Sequence, residues 1–369
     1  MNLRSWDFRS TYRAVTAPRY GPWLNSESQL SMKALFYPEF KKLTIAERPF
    51  PSFSEDEVLL KVLACGICGS ELETFKNQSP RRVPPLIMGH EFCGTVEDMG
   101  SDVTGFTKGD WVASNSVVSC GTCDPCQRGV TNLCKNRQIF GMHRGGAFGE
   151  YVNVPAHCLV PIPENTTPQA ACMAEPLANG IHIVNLIRHL NPKKVLVIGA
   201  GPIGLVTQQA FQSLLGVAVY VADLRNERLS IARKLGATAT INSSEEDLVS
   251  AIYQVTDQEG IDLVVDAVGS SQTNQQALKA VRPGGAIVLI GLYENTQSFF
   301  SYDIILSEKQ LIGTYAATQQ EIKESLNLIA TGKVDVTSWV HYYPLDNGVA
   351  AFTDMMLAKA DHVKSVILF

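Results

Sequence analysis

Apolar and polar positions change rhythm once along the chain. From Met32 to about Val154 the apolar residues come in short runs at 57–64, 91–97, 110–113 and 149–154. Gly and Pro punctuate them, as they do between strands. The stretch MKALFYPEFKKLTIAE, opening at Met32, reads as strand, turn, strand. This half predicts a compact, partly open β-rich unit. From about Pro192 strand-like runs appear at 195–198, 218–222, 238–241, 263–266, 286–290 and 310–314. Helical patterns such as 226–235 and 272–281 fall between most of them, and Gly236 sits where a helix C-terminal glycine belongs. Strands alternating with helices predict a parallel, doubly wound sheet. After about Ala316 a helix at 320–331 leads into mixed structure and a last strand at 365–369. That tail is too short for a third domain and reads as returning to complete the first.

Composition narrows the class. A chain of 369 residues predicts two domains, with 45% apolar and 18% charged residues giving ample core material. The net charge of −5 argues against a nucleic-acid scaffold. No uninterrupted apolar run reaches ~18 residues, so no membrane span is expected. The nine cysteines are an odd number in a long chain, which rules out complete pairing and favours a reduced, cytoplasmic setting. Residues 1–31 stand apart, with Arg4, Arg9, Arg13 and Arg19 against Asp7 and Glu27, and no secretory apolar core. They read as a disordered extension or a start upstream of the true one at Met32. A family-specific arm and an organelle transit peptide are the alternatives.

Three motifs carry chemistry. VLVIGAGPIG places Gly199, Gly201 and Gly204 directly after a strand and before a helix, with Pro202 between them. The first glycine permits the tight turn, the second admits a pyrophosphate, and the third lets helix and strand pack closely. The helix N-terminus then faces the phosphates. Asp223 ends the next strand, where an acid hydrogen-bonds the adenosine ribose and repels a 2′-phosphate. NAD is therefore expected over NADP, although Arg225 and Arg228 soften that preference. The second motif is Cys120, Cys123, Cys126 and Cys134, a spacing that suits a tetrahedral structural zinc. An iron–sulfur cluster would want the fourth cysteine closer and followed by proline. The third is dispersed: Cys68 in CGICGSE, His90 and Glu91 in MGHEFCG, and Glu175 in MAEPLANG. One thiolate, one imidazole and one carboxylate would make a catalytic zinc site with an open position. Taken singly, each of these residues is as well explained by a structural role.

Together with GGAFGEYV and the strand end from Asp223 to Arg228, these motifs occur in an order that resembles the zinc-dependent medium-chain dehydrogenase/reductase family. The polyol, L-threonine and galactitol-1-phosphate dehydrogenase branch is the nearest in flavour. The resemblance covers Met32 to Phe369. It implies an α/β chain: a GroES-like β-rich catalytic domain at 32–180 with its zinc lobe at 115–137, a Rossmann NAD-binding domain at 181–317, and a return segment at 318–369. It implies Cys68, His90 and Glu175 as catalytic zinc ligands, with Glu91 as an alternative ligand and Ser70 as the hydroxyl passing on the substrate proton. Ile203, Asp223, Arg228, Val268, Ile290, Gly291, Leu292, Thr314 and Tyr315 fall at cofactor contacts. Two positions depart from the pattern. Relatives often end the proton relay on a histidine where this chain has Glu73. They orient the zinc-bound histidine with an aspartate where it has Glu71, so that group keeps the role with altered geometry or another residue holds it.

The function implied is hydride transfer from a secondary alcohol to NAD⁺, with one catalytic and one structural zinc. The substrate would be a polyol, polyol phosphate, sugar or hydroxy amino acid, with an L-threonine 3-dehydrogenase type or a general alcohol dehydrogenase as alternatives. A zinc-independent reductase on the same fold and a non-catalytic dinucleotide-binding protein are rivals. No nucleic-acid or membrane partner is expected, and a homodimer or homotetramer is the prior. The site belongs in the cleft between the two domains. Cys65, Cys93, Cys158 and Cys172 read as small core residues, with Cys65 also a possible pocket wall. Arg81 and Arg82 read as a solvated pair or as a phosphate contact. His143, His157 and Arg144 are surface residues or line the pocket.

Overall fold

A computed structural model describes residues 31–296, 299–357 and 362–369. The expectations for the N-terminal extension therefore lie outside the described residues. In chain order the elements begin β1 (Ser31–Glu39), β2 (Lys42–Pro49), β3 (Glu57–Gly66), α1 (Gly69–Asn77), β4 (Leu86–Ile87), β5 (Glu91–Met99), β6 (Trp111–Ser114) and β7 (Val117–Val118). Next come α2 (Asp124–Gln127), β8 (Gln138–Ile139), β9 (Tyr151–Pro155), β10 (Leu159–Pro161), α3 (Pro168–Ala171) and α4 (Ala174–Ile187). The alternating half holds β11 (Lys194–Ile198), α5 (Pro202–Leu215), β12 (Ala218–Asp223), α6 (Asn226–Lys234), β13 (Ala239–Asn242), α7 (Leu248–Val255), β14 (Ile261–Asp266), α8 (Ser271–Ala280), β15 (Val281–Leu289), α9 (Ser301–Ile305) and β16 (Gln310–Gly313). The chain finishes with α10 (Gln319–Ala330), β17 (Val340–Pro344), α11 (Gly348–Leu357) and β18 (Lys364–Leu368).

The first half is the expected β-rich unit. β2-β1-β4 form one small sheet, and β10-β6-β5-β3-β18-β17 form a larger one to which β9 adds by pairing with β3. β18 runs antiparallel to β3, so the tail joins the first sheet. The second half orders its strands β13-β12-β11-β14-β15-β16, all parallel, which is the doubly wound arrangement. Helices cover both faces, so the central strands read as unbroken apolar runs. Val195, Leu196, Val197, Val264 and Val265 are fully buried.

The expected boundary at 180/181 falls inside α4. That helix is apolar nearly all round, with Leu177, Ile181, Ile183, Val184 and Ile187 buried. It packs against α5 at Gly180, where a side chain would press on the Thr207 backbone. α10 lies on the same helix, and Ser325 Oγ donates to Ala174 O at 2.9 Å. With α5 and α10 both packed on it, α4 runs unbroken through the expected boundary.

Candidate active site and metal centres

The cysteine lobe follows β7 and encloses α2. The sulfurs of Cys120, Cys123, Cys126 and Cys134 lie within 4.8 Å of one another. Cys123 Sγ is 3.5 Å from Cys126 Sγ and 3.7 Å from Cys134 Sγ, and Cys134 Sγ is 3.5 Å from Cys120 Sγ. A tetrahedron with Zn–S bonds of ~2.3 Å has edges of about 3.8 Å, whereas a disulfide needs ~2.05 Å. The backbone N–H groups of Cys120 and Asn136 each donate to Cys134 Sγ at 3.3 Å. Hydrogen bonds from Thr122 hold the Cys120 thiol down at about 5, while burial pushes Cys134 up to about 12. The donor set and its spacing fit a four-coordinate structural zinc.

The second constellation is assembled by strand register. β3 pairs with β5 so that Gly66 faces Glu91. Gly66 leaves room there for the Glu91 carboxylate, whose Oε2 a Cβ would overlap. Two residues on, Cys68 caps α1 in an extended conformation. The ligand atoms of Cys68, His90 and Glu91 lie within 4.8 Å of one another. Glu71, fully buried, answers the question its substitution raised. Its Oε1 accepts from Gly89 N at 2.8 Å and lies 3.0 Å from His90 Nδ1, and its Oε2 accepts from Cys68 N at 3.0 Å. Burial opposes the Glu71 charge, but the His90 ring, Arg82 and the Cys68 N–H outweigh it and hold its carboxyl below the usual range. A proton held on Nδ1 leaves Nε2 of His90 as the atom with a free lone pair for a metal.

Glu175 stands beside this set and outside it. It lies on α4, where its Oε1 accepts from Ser116 Oγ at 2.6 Å. Burial pushes its carboxyl up, with His90 opposing and Glu91 adding to the rise. Glu91 is delivered into the compact set by its register and is paired with Lys364 on β18, a lysine only 1% exposed. Lys364 Nζ also donates to Ile67 O at 2.9 Å. The sequence reading missed Lys364, although a charged residue inside the apolar run VKSVILF is itself a signal.

Arg81 and Arg82 correct the sequence reading. Arg82 is withdrawn from solvent, whereas Arg81 stays exposed. Arg82 is 1% exposed and donates to Gly141 O, Ser70 O, Thr74 Oγ1 and Ser70 Oγ at 3.0–3.2 Å. Arg81 pairs with Glu73 at 3.1 Å. Ser70 Oγ itself donates to Cys68 Sγ at 3.4 Å. Arg144 pairs with Glu57 and donates to Asn153 O at 3.2 Å, so it braces the β3–β9 edge. His143 Nδ1 accepts from Ile139 N at 3.1 Å inside its own turn, and His157 is exposed. Cys65, Cys93, Cys158 and Cys172 are buried thiols, with burial pushing Cys93 and Cys158 up to about 12.

On the cofactor side, Gly199 has φ +101 and a Cβ on Gly204 would overlap the Gly199 carbonyl oxygen. Above Gly201 a Cβ would meet nothing within 4 Å, which leaves the open cradle a pyrophosphate needs. Pro202 and Ile203 open α5. Asp223 Oδ2 accepts from Ala200 N at 2.7 Å, tying the glycine turn to the end of β12. Arg228 Nε and Thr314 Oγ1 are buried without a hydrogen-bond partner, at two positions expected to touch the cofactor. Buried Asp266, unforeseen in the sequence, accepts from Val268 N and Gly269 N at 2.9 Å, and its carbonyl accepts from Ile290 N and Gly291 N. Leu292 is exposed, and Tyr315 lies under the Arg137 guanidinium. Asn132 Nδ2 donates to Tyr315 O at 2.8 Å and Asn115 Nδ2 to Ala317 O at 3.1 Å. The cofactor-side loop is thereby fastened to the lobe and to the segment that holds Glu175.

A glycine turn on a doubly wound sheet, joined to a β-rich unit carrying Cys, His and carboxylate donors, defines a metal-using dinucleotide oxidoreductase. Residues 54–164 match the alcohol dehydrogenase GroES-like domain, and 202–331 match the zinc-binding dehydrogenase family. The chain is 33% identical over 328 residues to an L-threonine 3-dehydrogenase of Pyrococcus horikoshii, covering 86% of this chain and 93% of the relative. It is 31% identical over 336 residues to a D-arabitol-phosphate dehydrogenase of Enterococcus avium, covering 89% and 95%. An alcohol dehydrogenase from Escherichia coli solved with NADH superposes with a TM-score of 0.85 at 30% identity, covering 92% of this chain and 99% of that one. The chain belongs to the zinc-dependent medium-chain alcohol dehydrogenase family, and it is an oxidoreductase.

Proposed function

We propose that this chain oxidises a secondary alcohol of a polyol, polyol phosphate, sugar or hydroxy amino acid with NAD⁺. The observation that carries the reading is the convergence of Cys68, His90 and Glu91 within 4.8 Å, with Glu71 orienting the histidine. Cys68 and His90 would hold a zinc ion, and Glu91 and Glu175 are the two carboxylates that compete for its third position. A bound zinc acidifies the substrate hydroxyl and NAD⁺ accepts the hydride. Ser70 takes the proton that leaves that hydroxyl. Gly199, Gly201 and Gly204 seat the dinucleotide, and Asp223 selects NAD by accepting from its ribose. Ile203, Arg228, Val268, Ile290, Gly291, Leu292, Thr314 and Tyr315 would line its path. The four lobe cysteines would hold a second, structural zinc.

The same reading places the catalytic unit before α4, the dinucleotide unit around β11 to β16, and the return segment after it. A cytoplasmic homodimer or homotetramer fits the reduced thiols and the exposed apolar residues Tyr293, Phe300, Tyr302, Ile305 and Leu306 beside edge strand β16. The test is NADH formation against a panel of polyols, their phosphates and L-threonine, with NADP⁺ in parallel and zinc counted per chain. Two zinc ions per chain with no turnover of any alcohol would defeat the proposal.

A further inference from the structure

Arg82 is an unusual residue to find inside this unit. A buried cation is costly unless every donor is satisfied, and it is normally set against a carboxylate. Here all four hydrogen bonds go to neutral oxygens: two backbone carbonyls and two hydroxyls. Two of the four land on Ser70, at its carbonyl and at its Oγ, with separations of 3.0 Å and 3.1 Å. A guanidinium has five donors, no acceptor, and does not lose its proton in a protein. It therefore cannot carry a proton onward from Ser70, and Glu73, at the usual relay position, is turned to Arg81.

We infer that Arg82 is a positioning residue for the reaction, holding the Ser70 hydroxyl with one lone pair occupied and one free to face the substrate. The inference rests on the proposed function above. A serine hydroxyl has one hydrogen and two acceptor lone pairs. Arg82 Nη2 fills one lone pair, and the hydrogen points at Cys68 Sγ, 3.4 Å away. The remaining lone pair is the one acceptor left for the proton of a substrate hydroxyl. As the substrate O–H bond breaks, its proton bonds to that lone pair while the original Ser70 hydrogen leaves to a buffer base in solvent, so the Ser70 hydroxyl is re-formed. Arg82 thus takes over the placing of Ser70 without taking part in the relay.

The test is a double-mutant cycle on the zinc-loaded enzyme with NAD⁺ and the alcohol turned over in the panel. R82Q is expected to lower kcat about 10-fold with little change in KM, and to raise the solvent isotope effect on kcat. S70A should lower kcat further, and R82Q added to S70A should cost nothing more. A second readout needs no turnover. In the Co(II)-loaded protein S70A removes a hydrogen bond to the Cys68 sulfur and should shift its charge-transfer absorption. R82Q should shift it the same way, and the double variant no further than S70A. If R82Q fails to fold, R82K keeps the charge with a single point donor and enters the same cycle. Equal R82Q losses in wild-type and S70A backgrounds, in kcat and in the absorption band, would overturn the role of Arg82 alone. An S70A enzyme with wild-type kcat would overturn the Ser70 step of the proposed function instead.

Discussion

Replacing Glu71 by Gln tests how the catalytic metal site is held together. The carboxylate serves three donors: Oε1 takes Gly89 N–H and His90 Nδ1–H, and Oε2 takes Cys68 N–H. An amide has one oxygen, so at most two of these survive. The best placement puts the oxygen toward Gly89 and His90 and turns the amide NH₂ onto the Cys68 N–H. One hydrogen bond to a charged acceptor, worth about 1.5–3 kcal/mol, is then lost. The two that remain become neutral and fall to roughly half their strength. Both metal-facing residues, Cys68 and His90, lose part of their hold, and loss of such a partner typically costs 10–100-fold in metal affinity. Chelator competition should show this loss at one class of zinc site and none at the other, because the cysteine lobe shares no bond with Glu71. Glu71→Asp, one methylene shorter, should fall between wild type and Glu71→Gln. Wild-type affinity at both sites, or an equal fall at both, would refute the reasoning.

Cys126→Ala should lower zinc from two to one per chain and reduce the temperature of unfolding, since a structural zinc contributes folding energy outright; metal analysis and calorimetry check both. Glu57→Gln gives a pH signature. Burial opposes the Glu57 charge, but Arg144 and Asn153 prevail and hold its carboxyl below the usual range. A folded-state value below the unfolded one contributes stability above the unfolded value and loses it as pH falls through the folded one. The variant should therefore be less stable than wild type at neutral pH, with the gap closing in acid, as urea unfolding at several pH values would show. Gly204→Ala should abolish dinucleotide binding, because its Cβ would overlap the Gly199 carbonyl oxygen; NADH fluorescence titration measures it.

The sheet grammar was legible because it depends on local period. The runs at 195–198 and 218–222 reappear within a residue at each end as β11 and β12. Strands of two residues, such as β7 and β8, carry no period, and β17 with α11 passed only as mixed structure. Motif residues of the site were legible because strand–turn–helix junctions dictate them. Lys364, Arg82, Ser116 and Asp266 were not. Their partners are backbone atoms or residues far along the chain, as with Lys364 and Glu91, 273 positions apart. Arg82 misled most, since an arginine beside prolines in a loop looks solvated until its acceptors are seen. Glu175 was legible only through its motif; strand register brings Glu91 beside Cys68 and His90, while Glu175 approaches the same place from α4 with Ser116 as its hydrogen-bond donor.

The way β18 returns to β3 bears on how the chain comes to fold. The six-stranded unit lies between Glu91 and Lys364, yet its two ends meet where Ser325 holds the start of α4. Once that unit has formed, the free chain separating the two residues shrinks to less than half its length. Each halving of a loop saves only about 0.6 kcal/mol of closure entropy, so the equilibrium cost of the insertion is small. Its effect falls on timing instead. β18 pairs with β3 across the whole insertion, so it docks after the elements whose partners lie close in the chain. The charge that steadies Glu91 thus arrives after the rest of the pocket, and the metal site stays unfinished until the two halves have found each other.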